Sequence, residues 1–195
     1  MGGHKFDPKH IAKLEDPNRL SIEDPEQIFD AFSVHKVHSA VDIGAGTGFY
    51  TRPLLQRMQS EGVVWACDVS LEVLSWMRAK LCPHQKRLGL VQIGETGLPF
   101  ASESVQVVVM ANVLHEFAYP NTILQEVYRI LAPNGRMVLV DWKKEQAPFG
   151  PPYAHRVSLT DILLFLDQSG FRQTKSPYIM QRHNAFLAGK NSARQ

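Results

Sequence analysis

Short apolar runs separated by amphipathic stretches set the rhythm of this chain. The runs are residues 39–43, Val63-Val64-Trp65-Ala66-Cys67, Leu88 to Ile93, Val105 to Met110 and Met137 to Val140. A continuous run such as 63–67 is expected of a parallel strand covered on both faces. Between the runs, apolar residues recur at three- and four-residue spacing. Tyr50, Leu54, Leu55 and Met58 form one such set; Val73, Leu74, Met77 and Leu81 a second; Ile123, Leu124, Val127, Ile130 and Leu131 a third. That spacing predicts helices with one buried face. Ser70 stands where a cap is needed, Pro83 stops the second helix, Pro133-Asn134-Gly135 closes the third, and Gly62 punctuates the step into the second strand.

The flanks follow the same logic. Residues 1–24 are polar, interrupted by Pro8 and Pro17, and read as an arm with a short helical turn around Ile11 and Leu14. Asp24-Pro25 is a helix start, an acid at the cap and proline in the first turn, and Ile28, Phe29 and Phe32 share one face beyond it. Residues 143–157 hold Pro148, Gly150, Pro151 and Pro152 and read as a loop or lid. Thr160 or Ser158 caps a helix with Ile162, Leu163, Phe165 and Leu166, ended by Gly170. Phe171 to Ile179 and Arg182 to Ala188 then read as two closing strands within residues 158–188. Strands alternating with helices predict an α/β, doubly wound sheet in one domain over residues 1–195. Ligands of such sheets bind outside the carboxyl ends of the strands.

Composition removes several function classes. The 195 residues are 44% hydrophobic, enough for a core without disulfides or metals. Twenty-one basic and 19 acidic residues leave a net charge of +2, which predicts no strong pull toward nucleic acid or membrane. Cys67 and Cys82 form no C-x-x-C and no zinc spacing, which fits reduced thiols in a cytoplasmic protein. His35 and His38 could pair on a metal, but no third ligand is near, so no metal site is expected. No apolar run approaches the roughly 20 residues of a membrane span.

One stretch carries chemistry. Val41 to Tyr50 reads VDIGAGTGFY, a strand running into a glycine-rich turn and then a helix. Glycine lets the backbone turn tightly and lie against a ligand, and the helix behind it aims free N–H groups at that ligand. Dinucleotide folds need G-x-G-x-x-G, but here the third glycine arrives one residue early and Phe49 stands in its place. Asp68 ends the second strand, twenty residues after Gly48, where a carboxylate can accept hydrogen bonds from a ribose diol.

VDIGAGTGFY, then Asp68, the Gly94-Glu95 loop ending in Leu98-Pro99-Phe100, MANVLHEF and LAPNGRMVLVDW resemble the ordered motifs of class I S-adenosylmethionine (SAM) methyltransferases of the ubiquinone/menaquinone-methylase kind, methyltransferase type 11. The resemblance covers residues 39–142 and implies a Rossmann-like sheet of seven strands, mostly parallel, with the last antiparallel. It also implies that Gly44, Ala45, Gly46 and Gly48 pack on the methionine part of SAM, that Asp42 serves its amino end, that Asp68 binds the ribose and that Val69 lies against adenine. The family usually has an Asp after strand three near the adenine amino group; here Gly94 holds that position and Glu95 is its neighbour.

Around this frame, Asn112 at the exit of the fourth strand is a candidate contact for SAM or substrate. His115 follows it and is a candidate general base, or else a wall of the pocket. Asp141 and Trp142 end the fifth strand and are placed to line the acceptor pocket, although Asp141 could equally cap or pair locally. His4-Lys5-Phe6-Asp7-Pro8 and the loop around Phe149 and Tyr153 are candidate covers. The expected function is methyl transfer from SAM to a small-molecule acceptor by a monomer or homodimer. A nicotinamide-dinucleotide oxidoreductase and a non-catalytic SAM-binding protein are the competing readings.

Overall fold

The computed structural model describes residues 11–81, 86–175 and 177–190. Its centre is one twisted sheet in the order β3-β2-β1-β4-β5-β8-β6, with β7 also paired to β8. The strands are β1 (Val37–Ile43), β2 (Met58–Asp68), β3 (Leu88–Gln92), β4 (Val105–Ala111), β5 (Leu131–Trp142), β6 (Phe171–Gln173), β7 (Tyr178–Ile179) and β8 (His183–Lys190). β1 to β5 pair in parallel, whereas β8 runs antiparallel to β5, β6 and β7.

Among the described residues the sheet has eight strands rather than the expected seven. The segment read as one strand over residues 171–179 is two, β6 and β7, because Pro177 between them has no N–H to give to the ladder. Both pieces still lie along β8, through Gln173 opposite Ala188 and Tyr178 opposite Ala185.

Among the described residues seven α-helices cover the sheet: α1 (Ile11–Leu14), α2 (Arg19–Ile22), α3 (Pro25–Ala31), α4 (Thr51–Gln56), α5 (Leu71–Lys80), α6 (Pro120–Ile130) and α7 (Leu159–Gln168). Three begin on caps legible in the sequence. Asp24 accepts from the Glu26 N–H, Ser70 from Val73, and Ser158, rather than Thr160, from Asp161. The helix after the glycines is shorter than expected. It ends at Gln56, and Met58 already opens β2, with Gly62 inside the strand at an irregularity where pairing jumps from Met58 to Val63. β5 likewise starts at Leu131, ahead of the expected Met137.

Core residues lie on both faces, as the continuous apolar runs require. Val41, Ile43, Met110, Met137 and Leu139 pack with α6 and α7 on one side. Ala40, Val107, Val109, Val138 and Val140 pack with α3 and α4 on the other. Among the described residues no helix is long and apolar enough to cross a membrane. Residues 4–8, Cys82 and Pro83 lie outside the described residues.

Candidate active site at the rim of β1, β2, β4 and β5

β1 has β2 on one side and β4 on the other, so successive connections leave it in opposite directions. The crevice at such a switch point is where doubly wound sheets bind ligands. The glycine turn sits there. Gly44 has φ +69 and Gly46 φ +55, both left-handed. A Cβ on Gly44 would lie 2.5 Å from a Val113 methyl, and one on Gly48 2.6 Å from Leu81. Gly44 is therefore required by the protein's own packing, whereas at Gly48 the Leu81 tip can shift and the left-handed φ of +85 is what favours glycine. Gly46 differs: its Cβ direction points outward, to the Leu14 side chain at 3.3 Å.

Two carboxyls flank the turn. Asp68 spans it, accepting from Gly46 N at 3.1 Å and from Ser70 N at 2.9 Å. Burial raises its pKa, against the pull of these N–H bonds. Asp42 lies beneath the turn, 1% exposed, and accepts from the Thr51 hydroxyl at 2.6 Å. Burial pushes it up to about 7, the Thr51 bond works the other way, and the charge of Asp68 adds to the rise. The partners of both acids are hydroxyl and N–H groups rather than cations. Two buried carboxyls of this kind suit a ligand that brings positive charge and hydroxyl donors. Val69 is exposed beside Asp68, and nothing lies within 4 Å of where a Gly94 Cβ would be, so the β3 side of the rim is open. Glu95 is half-buried in the same loop.

On the β4–β5 side, His115 follows β4 in a short 3₁₀ turn, Leu114–Glu116. Its Nδ1 lies 2.7 Å from Asp141 Oδ1, and its backbone N–H donates to Asp141 Oδ2 at 3.2 Å. Asp141 is fully buried and also accepts from Trp142 N at 2.7 Å. An ionised carboxylate cannot donate, so Nδ1 carries the proton and Nε2 is left as the basic nitrogen. Burial works against a charged His115, but the charge and hydrogen bond of Asp141 outweigh it and the pKa is raised. Asp141 therefore pairs locally and orients the His115 ring.

Sequence reasoning missed Glu23. It is 3% exposed, and its carboxylate accepts from Asn112 Nδ2 at 2.9 and 2.8 Å, from Tyr50 OH at 3.1 Å and from Arg19 at 2.8 Å. The stretch from Ile11 to Glu23 is thus no free arm but a packed cover, and Thr47 Oγ1 donates to Leu14 O at 3.4 Å beneath it. His183 was missed as well. It is fully buried against Trp142, with ring centroids 4.2 Å apart, and burial lowers its pKa. The loop over residues 143–156 is held by Arg156, which donates to the carbonyls of Lys143, Glu145, Phe149 and Pro151. His35 and His38 are both exposed.

A glycine turn at the switch point of a parallel sheet, tied to an acid ending the second strand, defines a nucleoside-binding α/β protein. The chain belongs to the methyltransferase domain family, which it matches over residues 41–139. It is 30% identical to a SAM-dependent methyltransferase from Aquifex aeolicus of known structure, with a TM-score of 0.89 over 94% of this chain and 98% of that one. A putative type 11 methyltransferase from Sulfolobus solfataricus, 22% identical, shares the fold at a TM-score of 0.74 over 89% of this chain and 95% of that one. Among curated relatives, the ubiquinone/menaquinone biosynthesis C-methyltransferase UbiE of Neisseria gonorrhoeae is 27% identical over 132 residues, 65% of this chain. The chain spans about half the length of that relative, 54%. The family implies use of SAM, and the nicotinamide reading falls away.

Proposed function

We propose that this chain moves a methyl group from SAM to a small molecule at the rim of β1, β2, β4 and β5. The observation that carries the reading is the 3.1 Å bond from Gly46 N to Asp68, which ties the acid to the turn at the switch point. Each Asp68 oxygen takes one of the two N–H bonds from Gly46 and Ser70, and a carboxylate oxygen can accept two, so a ribose diol can still be held. In this reading Gly44, Ala45, Gly46 and Gly48 line the methionine part, Val69 lies against adenine, and Gly94 and Glu95 stand near its amino edge. Bound SAM supplies an activated methyl on a sulfonium, and the chain supplies alignment and exclusion of water.

His115 is the base of this scheme. Asp141 fixes its tautomer, and Nε2 takes the proton of an acceptor O–H, N–H or C–H as the methyl is transferred. The near-balanced charge supports a small acceptor over nucleic acid.

The test is incubation with methyl-labelled SAM and a fraction of small metabolites. Labelled product is expected. Tight binding of S-adenosylhomocysteine without any product would favour the non-catalytic reading. With an acceptor in hand, kcat/KM should rise with pH through a group titrating above the ordinary histidine range of about 6.5. Asp141→Asn should lower the rate and move that limb to lower pH. An unmoved limb would remove His115 from the chemistry.

A further inference from the structure

We propose that the methyl acceptor is an anion, a small molecule whose carboxylate or phosphate is held by Arg182 and Lys144 on the rim beyond β5 and β8. The inference rests on the methyl-transfer reading above and adds the chemical class of the acceptor.

Charge is not spread evenly along the chain. Within residues 143–156 and 180–182 stand Lys143, Lys144, Arg156 and Arg182, against one acid, Glu145. Four cations and one acid leave this rim at +3, more than the +2 of the whole chain. The sheet brings the two segments together. Trp142 at the end of β5 pairs with His183 at the start of β8, and Lys143 N donates to Arg182 O at 2.9 Å. Lys143 follows Asp141 by two residues, roughly 7 Å at strand spacing. Asp141 is the acid that holds His115, so the cations stand beside the candidate base.

Their roles divide. Arg156 is 3% exposed and spends its guanidinium on the carbonyls of Lys143, Glu145, Phe149 and Pro151. Gly150, at φ +85, lets the loop backbone lie against the Trp142 ring, where a Cβ would come within 2.9 Å. A rim fixed in this way is set before a ligand arrives, which lowers the cost of binding. Arg182 and Lys144 are different. Among the described residues neither has a carboxylate partner. Arg182 lies over the Phe149 ring at 5.7 Å and Lys144 over the Tyr153 ring at 5.8 Å. These contacts use the charge but leave the N–H donors of both side chains for an anion. Phe149 and Tyr153 are 44% and 46% exposed, an apolar bed for the rest of the molecule.

Electrostatics point the same way. Burial, and then the charge of Arg182, lower the pKa of Arg156, and the charge of Arg156 in turn reaches His115. Like charges this close repel, and a bound anion offsets the repulsion. A neutral acceptor would leave it in place.

The test uses a pool of small metabolites split on an anion exchanger at neutral pH. With wild-type protein and methyl-labelled SAM, the retained fraction should yield labelled product and the flow-through none. Product arising mainly from the flow-through would overturn this inference and leave methyl transfer standing. Product from neither fraction would remove the transfer reading, and this inference with it. Phosphatase treatment that abolishes acceptance marks a phosphate, and survival marks a carboxylate; either supports an anion. With the retained acceptor purified, Arg182→Gln and Lys144→Gln should each raise KM roughly 10-fold, as loss of a charge-assisted bond implies, with kcat changed less than about 2-fold. Affinity for S-adenosylhomocysteine should stay within about 2-fold of wild type. A parallel loss of that affinity would make both residues structural and overturn the assignment, as would an unchanged KM in both variants.

Discussion

Asp42 is a carboxyl whose surroundings disfavour its charge, with a folded pKa of about 7 against an ordinary 3.8. A raised pKa means that the protonated folded form is favoured. Its contribution to stability is complete below pH 3.8 and is lost as pH rises through about 7. The difference is on the order of 4 kcal/mol. Asp42→Asn keeps an acceptor for Thr51 and removes the titration. We expect it to match wild type in urea melts at pH 4 and to be the more stable protein at pH 8; parallel pH profiles would show that the charge is not suppressed. A cationic ligand reverses the preference, so binding of SAM should release protons near neutral pH. Asp68→Ala removes one or two charge-assisted bonds and should weaken S-adenosylhomocysteine roughly 10- to 100-fold in calorimetry. Unchanged affinity would end the ribose assignment. Both acids were legible because Asp42 interrupts the apolar run that leads into the glycines and Asp68 ends the next run, twenty residues after Gly48. Glu23 was not, since its partner Asn112 lies 89 residues away and a single acid among polar neighbours carries no local sign of such a contact.

At the scale of elements, the glycine turn is where sequence and structure agree most closely, and they divide its work differently. The spacing suggests three positions facing a ligand; two of them face Val113 and Leu81, and Gly46 alone points outward. Gly46→Arg would force a side chain onto a left-handed residue, costing about 1–2 kcal/mol, and project it into the cleft. It should fold with reduced stability and show no thermal shift with S-adenosylhomocysteine; a retained shift would place the ligand elsewhere. The boundaries that went astray share a cause. β2 and β5 each begin on a buried residue, Met58 and Leu131, followed by exposed positions before the main run. In the sequence that leading residue reads as the last apolar position of the preceding helix. Caps fared better, because Asp24, Ser70 and Ser158 act on N–H groups only two or three residues away.

For the whole molecule, a ligand that binds only the folded chain adds stability by mass action. At 100 times its dissociation constant the gain is about 2.7 kcal/mol, which for a chain of this size is roughly 5–10 °C in melting temperature. S-adenosylhomocysteine should produce such a shift and NADH none; the reverse would contradict the site described here. The doubly wound architecture was readable from alternation of runs and helices; the antiparallel closing strand came from the family resemblance alone. What alternation cannot report is how the flanks fold back, because the cover over residues 11–23 is held by polar contacts to residues distant in sequence.

The position of β8 has a consequence for synthesis. It lies between β5 and β6, so the last of the described strands is an interior plank of the sheet. A nascent polypeptide halted before His183 would present the flank of β5 unpaired, with Met137, Leu139 and Val140 beside it lacking their neighbours. A chain in which β8 has not yet paired must therefore remain soluble with the flank of β5 open, and that interval is when it is most exposed to self-association.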